Sequence, residues 1–451
     1  MQKTEKTYLF KQMPVLKAIL SLAIPTVLSQ LITVLYNVAD TFFIGQVGDP
    51  NQVAASTIAM PVFLMLTGIA NLFGIGGASL ISRSLGIGNK TRAEMTASFC
   101  FFSVITVALI YSVLVFFLRP YCLPLLGTDE FTYRFTSDYL FWTVCLGGIP
   151  TALSLTMAHL VRAEGFAKEA SLGIAFGGVL NIGLDALFIL GLNMEIKGAA
   201  VATLISNCVA VIYFLIIIIK RGNYTVVLPL PKNFTLKYGI PKEVFFVGLT
   251  SFIMATMATV SNMVLNGIMA SYSNQAIAGM GIAKRIDLIA YAIAQGMTQG
   301  VLPLIAYNFA SGNKVRYTKT VKTTALLTFS ISICVMLFLY FGATDLSLLF
   351  INESITVNYC RRFLKIIACA CPVTALNCIA ISVFQAMGEK VKPLILSVSR
   401  KGVTDIPFMF ILSAYLGVIG IPWAVPIAES IGLIFTLTFA ISLYRKIKKY
   451  G

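Results

Sequence analysis

Gly88-Asn89-Lys90-Thr91-Arg92 returns as Gly312-Asn313-Lys314-Val315-Arg316, displaced by 224 residues (312 − 88). Leu80-Ile81 and Leu304-Ile305 precede the two copies at the same displacement. Farther on, Arg162-Ala163-Glu164-Gly165 parallels Gln385-Ala386-Met387-Gly388 at 223, and Gly198 parallels Gly420 at 222. Offsets this steady along the whole chain read as duplication of one unit, of the kind that weak internal symmetry betrays in membrane transporters.

The unit belongs in a bilayer. Of 451 residues, 58% are hydrophobic and 12% charged, whereas soluble domains carry roughly a quarter charged. Soluble enzymes are thereby excluded. Apolar runs of spanning length, about 20 residues or more, fall near 17 to 46, 53 to 82, 95 to 118, 135 to 160, 169 to 194 and 198 to 219. A second six follow near 243 to 270, 275 to 311, 323 to 344, 357 to 387, 391 to 415 and 418 to 444. The expected fold is an all-α integral membrane protein of twelve transmembrane helices in two pseudo-symmetric six-helix lobes, residues 1–219 and 243–451. The lobes are joined by a cytoplasmic linker, 220–242, that carries Pro229, Pro231 and Pro241. An even number of spans per unit keeps the copies parallel, and substrate sites in such proteins lie between the halves.

The net charge of +16 is a topology signal. With the N-terminus inside, 24 of the 34 bases share its side, among them Lys3, Lys6, Arg83, Arg92, Lys232, Arg316, Lys390, Arg445, Lys446, Lys448 and Lys449. Only Arg119, Arg134, Lys197, Arg361, Arg362 and Lys365 fall opposite, and Lys284, Arg285, Arg400 and Lys401 lie within spans or near their ends. The positive-inside rule therefore puts both termini in the cytoplasm. Bases dispersed over every inner loop, without a stripe of stacking aromatics, exclude nucleic acid as a partner. The first apolar run is too long for a signal-peptide core and reads as a true first span. Nine cysteines without metal spacing read as small hydrophobes, and no cofactor is implied. A cell-membrane monomer is expected.

Acids are scarce, 18 in all, and those inside spans demand a reason, because an ionisable side chain near the bilayer centre costs about 2.5 to 3.5 kcal/mol even on a lenient scale. Asp40, Asp185, Asp287, Asp405 and Glu429 are the exceptions. Tyr36 precedes Asp40 by four residues and Asn181 precedes Asp185 by four, so each acid shares a helix face with a polar companion. Should these faces converge, the two carboxylates can hold a proton, or an oxygen cage of Asp40, Asn181, Asp185 and the Thr203 hydroxyl can hold Na⁺. A hydrogen-bonded contact that glues two spans is the plainer alternative. Asp287 follows Lys284 and Arg285, and Asp405 follows Lys401, so both are expected to pair with those bases. Glu429 stands alone and reads as a cation contact of the second half. Pro25, about four turns before Asp40, removes a backbone hydrogen bond and permits a bend in the first span.

Together these residues resemble the MATE family of multidrug and toxic compound extruders, over essentially the whole chain. The likeness rests on the two six-span halves, on Pro25 and Asp40 in the first span, on Gly86-Ile87-Gly88-Asn89-Lys90 after the second, and on Val179-Leu180-Asn181-Ile182-Gly183-Leu184-Asp185 in the fifth. Within the family it is most similar to the DinF-like branch with its MepA-type exporters, which concentrates the acidic cation site in the first half. The resemblance implies that Asp40, Asn181, Asp185 and Thr203, with Tyr36 beside them, form that site. It also implies a V-shaped molecule whose central cavity opens alternately to each side and exports amphipathic, often cationic, drug-like molecules by antiport with H⁺ or Na⁺. Met65, Tyr139, Met157, Met254, Met257 and Tyr291, along with Glu429, are the cavity-lining candidates. Asp287, Asp405 and Glu429 do not map onto the second-half acid pair of the NorM-like branch.

Two rivals are weighed against export. A flippase or exporter of a lipid-linked or specific metabolite substrate would need several buried bases to hold phosphate, and Lys284, Arg285, Arg400 and Lys401 are the only candidates. An intramembrane two-aspartate protease would need a glycine directly before its acid, where Leu184 stands. His159, the sole histidine, lies at the end of the fourth span beside Arg162, which argues against a catalytic role. No catalytic residue is assigned.

Overall fold

The computed structural model describes residues 8–449. Lys3 and Lys6 lie outside the described residues, as do the side chains of Arg445, Lys446, Lys448 and Lys449. The chain forms α1 (Val15–Gln46), α2 (Pro50–Gly86), α3 (Lys90–Leu125), α4 (Tyr133–Leu140), α5 (Gly148–Ala163), α6 (Ala167–Asp185) and α7 (Glu195–Arg221). After the linker come α8 (Ile240–Ala270), α9 (Asn274–Ala310), α10 (Lys314–Phe341), α11 (Ala343–Leu348), α12 (Ser354–Ala368), α13 (Cys371–Ala386), α14 (Val391–Arg400), α15 (Asp405–Leu416) and α16 (Gly420–Lys449). Among the described residues, nine helical stretches are long and apolar enough to cross a membrane. Two bent pairs bring the number to eleven: α4 and its π-helical continuation with α5 at 53°, and α12 with α13 at 46°. The sequence expectation was twelve. The difference lies in Val391–Ser442, one 52-residue stretch by this measure, in which α14, α15 and α16 follow one another.

The repeated pentapeptide is a turn with a chemical reason. Gly88 and Gly312 adopt φ of +80° and +73°, the left-handed conformation that glycine enters without penalty. The next residue caps a helix: Asn89 Oδ1 accepts from Arg92 N at 2.9 Å and Asn313 Oδ1 from Arg316 N at 3.0 Å. Each turn therefore stops one helix and starts the next, which is why Gly, Asn and the following base recur together. The two bent pairs also occupy equivalent places, as the fourth apolar run of each half.

The halves meet through α1 on α9 and α2 on α8, in a symmetric exchange of partners. A side chain at Gly248 of α8 would collide with the Leu72 carbonyl of α2, and one at Gly300 of α9 would lie 2.7 Å from the Leu22 carbonyl of α1. The backbones are in contact there. Polar ties between the halves gather at the same end. Gln30 Nε2 donates to Gln299 Oε1 at 2.8 Å, and Ser79 Oγ to the Gln385 carbonyl at 2.5 Å. Glu243 bridges Arg83 and Arg92 at 3.2 and 2.6 Å, and Arg316 donates to the carbonyls of Phe10 and Leu9. Among the described residues, no hydrogen bond or ion pair joins the halves beyond Gln30 on α1, Met65 on α2 and Thr256 on α8. The molecule is a wedge, closed at the end that carries both Gly-Asn-Lys turns.

The linker is not loose. Glu164 accepts from the Thr225 hydroxyl at 2.7 Å and from Val226 N, Ser98 Oγ accepts from Leu230 N at 3.3 Å, and Phe234 stacks on Phe99 with centroids 6.2 Å apart. All these partners belong to the first half. Residues 235–239, with Tyr238 and Gly239 at φ of +59° and +72°, separate this strap from α8.

Gly248→Ala is expected to lower the thermal midpoint of the detergent-solubilised protein, because a methyl group driven into the Leu72 carbonyl costs about 1 to 3 kcal/mol of overpacking. Gly267→Ala, on the same helix with open space at its Cβ, should leave the midpoint unchanged or raise it. Equal midpoints for the two variants would refute the close contact.

Candidate functional site

Asp40 lies on α1, one turn beyond Tyr36, and Asp185 is the last residue of α6, one turn beyond Asn181. The two carboxylates are close enough to act on one another electrostatically. Tyr139, from α4, feels the charge of both acids and of Tyr36, and its hydroxyl points at Asp40 Oδ2 from 3.5 Å. The two helix faces thus converge. Asp185 and Asn181 are buried at 0% and 2% exposure, whereas Asp40, Tyr36 and Tyr139 are half-buried.

Satisfaction of these groups is incomplete. Asp40 Oδ1, both Asp185 oxygens, and Asn181 Oδ1 and Nδ2 are buried without a hydrogen-bond partner. An unsatisfied buried polar atom costs about 1 to 3 kcal/mol, more when charged, so these five atoms are open to a proton, a cation or water. Four of the five are oxygens, the donor set of a proton or a hard cation. Thr203 stands on α7, the helix packed on α6, half-buried, with its carbonyl accepting from Asn207 Nδ2 at 3.0 Å. Among the described residues, no three or more His, Cys, Asp or Glu side chains are grouped to hold a metal. A cation here would rest on two acids and amide or hydroxyl oxygens. Directly after Asp185 the helix widens into a π-helical turn, Ala186–Gly191, an irregularity frequent at functional sites. Pro25 sits in α1, which stays helical from Val15 to Gln46.

Several expectations for the second half need correction. Glu429 is no cavity cation contact. Its carboxylate forms a bidentate pair with Arg400 (Nε–Oε2 2.7 Å, Nη2–Oε1 2.8 Å), both residues 2% exposed, and Asn377 Nδ2 donates to it at 2.9 Å. The partner is 29 residues away in sequence, on another helix, so local spacing held no sign of it. Asp405 does not pair with Lys401. It is the first residue of α15, accepts from Gly402 N and Ile406 N, and takes the Ser261 hydroxyl on its other oxygen. Asp287 has no ion pair among the described residues: it faces the Cys371 thiol at 3.9 Å, while Lys284 donates to Asn262 Oδ1. Met157 is fully buried in the first-half core and lines nothing. Met65 is 39% exposed and Met254, Met257 and Tyr291 are half-buried; Tyr291 accepts from Gln295 Nε2 at 2.6 Å. Tyr139, read as cavity lining, is half-buried with its hydroxyl toward Asp40. His159 is buried, its ring nitrogens facing Asn71 and Arg162.

A duplicated helical membrane protein with an acid pair enclosed in its first half defines a class, and the comparisons define it further. The MatE family profile matches residues 25–187 and again 250–411, and the chain belongs to that family. The two matched segments start 225 residues apart (250 − 25), close to the offset of the pentapeptide. The chain is 30% identical over 434 residues to the multidrug export protein MepA of Staphylococcus saprophyticus, covering 95% of this chain and 94% of that protein. It is 30% identical over 432 residues, with the same coverage, to MepA of Staphylococcus aureus. A MATE in the straight conformation superposes with a TM-score of 0.92 at 23% identity, over 98% of this chain and 99% of that one. An outward-facing multidrug resistance MATE transporter superposes at 0.90 with 23% identity over 99% of both. These likenesses establish the fold.

Glu429→Gln leaves the Arg400 guanidinium buried without its counter-charge and is expected to cost about 3 to 5 kcal/mol, seen as a lowered unfolding midpoint and aggregation in size-exclusion profiles. Removing both charges, Arg400→Leu with Glu429→Leu, should restore much of that loss. A double variant no better than the single would argue that the pair has a role beyond packing.

Proposed function

We propose that the protein is a secondary active exporter of amphipathic, often cationic, small molecules, driven by inward flow of H⁺ or Na⁺. The observation that carries this reading is the enclosed cluster of Asp40, Asn181 and Asp185, whose unsatisfied atoms suit a proton or Na⁺, in a chain of the MatE family related to multidrug exporters. Thr203 and Tyr36 complete the cation site. The cation acts by favouring one arrangement of the halves over the other, because a ligand shifts an equilibrium only through its difference in affinity between the states. Pro25, on the same helix as Asp40, lets α1 change shape when the cation binds.

The full architecture is twelve spans in two six-helix lobes, 1–219 and 243–451. A single 52-residue helix would be about 78 Å long at 1.5 Å per residue, far more than the ~30 Å hydrocarbon core. Packing of α15 against α16 supports a return crossing after 416. With both termini cytoplasmic, the closed end of the wedge is the inner one, so this is the outward-open form of a monomer in the cell membrane. Met65, Met254, Met257 and Tyr291 line its cleft, and Glu243, with Arg83 and Arg92, is the latch that opens in the inward-facing form. Flipping of a lipid-linked phosphate is disfavoured, since Glu429 already neutralises Arg400.

Asp40→Asn and Asp185→Asn should each abolish resistance to cationic dyes in a pump-deficient bacterial strain while membrane yield stays at the wild-type level; wild-type resistance from both would end the coupling model. In proteoliposomes, a pH or a Na⁺ gradient imposed alone should drive dye movement and so identify the ion. Movement indifferent to both gradients would rule out antiport. Glu243→Gln should raise the reactivity of cysteines placed along the α2/α8 seam at least severalfold, and unchanged labelling would dismiss the latch.

A further inference from the structure

The ionic tie at the closed end has a counterpart in the other copy of the repeat. Arg83 and Arg92 hold Glu243 at the start of α8, and Arg83 lies so close to Gly388 that a Cβ there would stand 2.5 Å from its Nη1. At the offset of 224, Arg83 and Arg92 correspond to Tyr307 and Arg316, and at 223 Gly388 corresponds to Gly165. These three also meet at one place. What they hold is the segment Tyr8–Gln12, which precedes α1.

Tyr8–Gln12 makes a single π-helical turn, closed by Met13 N donating to the Tyr8 carbonyl at 2.8 Å. The next carbonyl in that ladder, Leu9, faces Pro14, which has no N–H to give. Arg316 of α10 supplies the donor instead: Nη2 reaches the Leu9 carbonyl at 3.1 Å and Nε the Phe10 carbonyl at 2.7 Å. Phe10, 2% exposed, stacks on Tyr307 of α9 with ring centroids 4.8 Å apart and planes 11° from parallel. The ring also lies against Gly165, between α5 and α6, where an added Cβ would stand 3.0 Å from it. Tyr307 is at the seam itself, since a Cβ on Gly86, the last residue of α2, would lie 2.5 Å from its carbonyl. Phe10 therefore stands between a turn of the first half and a helix of the second. When the halves part here, the ring can remain with only one of them.

We infer that Phe10, with Tyr307 and Arg316, is a second and uncharged latch, whose residues position the halves by holding the closed end shut. The inference rests on the proposed alternation of the halves. Glu243 ties that end through α8, whereas Phe10 ties it through the segment that runs into α1, the helix of Asp40. A shift of α1 on cation binding is thus passed directly to the stacked rings.

The test is amide hydrogen exchange, read by mass spectrometry, on the full-length protein in detergent. Phe10→Ala should speed exchange at the closed end, in peptides around Gly86 and Tyr307, by about twofold to tenfold, the range that one aromatic pair is worth. It should slow exchange in the cleft, around Met65 and Thr256, as the far end closes. These opposed signs separate a latch from a merely structural residue, whose loss would speed exchange in both places. Tyr307→Leu removes the same stack from the other half and should repeat the pattern if Phe10→Ala proves unstable, while Tyr8→Ala, at a side chain 45% exposed, should alter neither region. Faster exchange at the closed end without slowing in the cleft, or no change at the closed end in either ring variant, overturns the latch. Opposed changes in a protein that moves no dye against a gradient would uphold the latch and refute the export reading.

Discussion

The architecture depends on backbone lying against backbone along two helix pairs, α2 on α8 and α1 on α9. In lipid there is no water to expel when helices meet, so association draws on van der Waals contact at short range and on interhelical hydrogen bonds. Small residues at Gly248 and Gly300 supply the first. Gln30 with Gln299, and Ser79 with the Gln385 carbonyl, supply the second. Because both kinds of contact are concentrated at one end, the other end is free to splay, and a wedge results without any element devoted to holding it open. The acid pair sits on α1 and α6 in the splayed portion, so that whatever binds there acts on α1, a helix already committed to the seam.

The fold was legible where sequence encodes local chemistry. A glycine that must turn left-handed and an asparagine that must cap a helix survive in both copies of Gly-Asn-Lys, and this alone exposes the duplication. Span length was equally direct for the nine long apolar stretches and the two bent pairs. Asp40, Tyr36, Asn181 and Asp185 could be singled out because charge is rare in an apolar helix and companions at four-residue spacing share a face. What escaped were pairings across helices. Arg400 with Glu429, Asp405 with Ser261, and Tyr139 with Asp40 join residues whose separation in sequence is arbitrary, so nearest-base reasoning sent Asp405 to Lys401 and left Glu429 alone. The break after Arg400 escaped as well, since Lys401-Gly402-Val403-Thr404 is too short a polar interruption to stand out from a span that tolerates glycine.

The charges inside the membrane divide by what they lack. In the second half, Arg400, Glu429 and Asp405 are saturated by protein partners, and their role is to hold α14, α15 and α16 together around a break. In the first half, Asp40, Asn181 and Asp185 have unsatisfied atoms at the point where α6 passes into a π-helical turn. Asp185 and Asn181 are as buried as Arg400, Glu429 and Asp405, while Asp40 is half-buried; hydrogen-bond completeness is what differs most. Completeness therefore separates these two sets of residues more sharply than rarity in the sequence does.

The strap formed by residues 225 to 234 has a consequence for how the halves are kept together. Since Glu164, Ser98 and Phe99 fasten it to the first half, covalent continuity fixes no angle between the halves and contributes chiefly by keeping them at high effective concentration. Geometry is written into the seam, and the peptide bond near Tyr238 is a tether. Two separately translated half-chains, cut at that tether, would carry all the shape information of the whole and would lack only proximity.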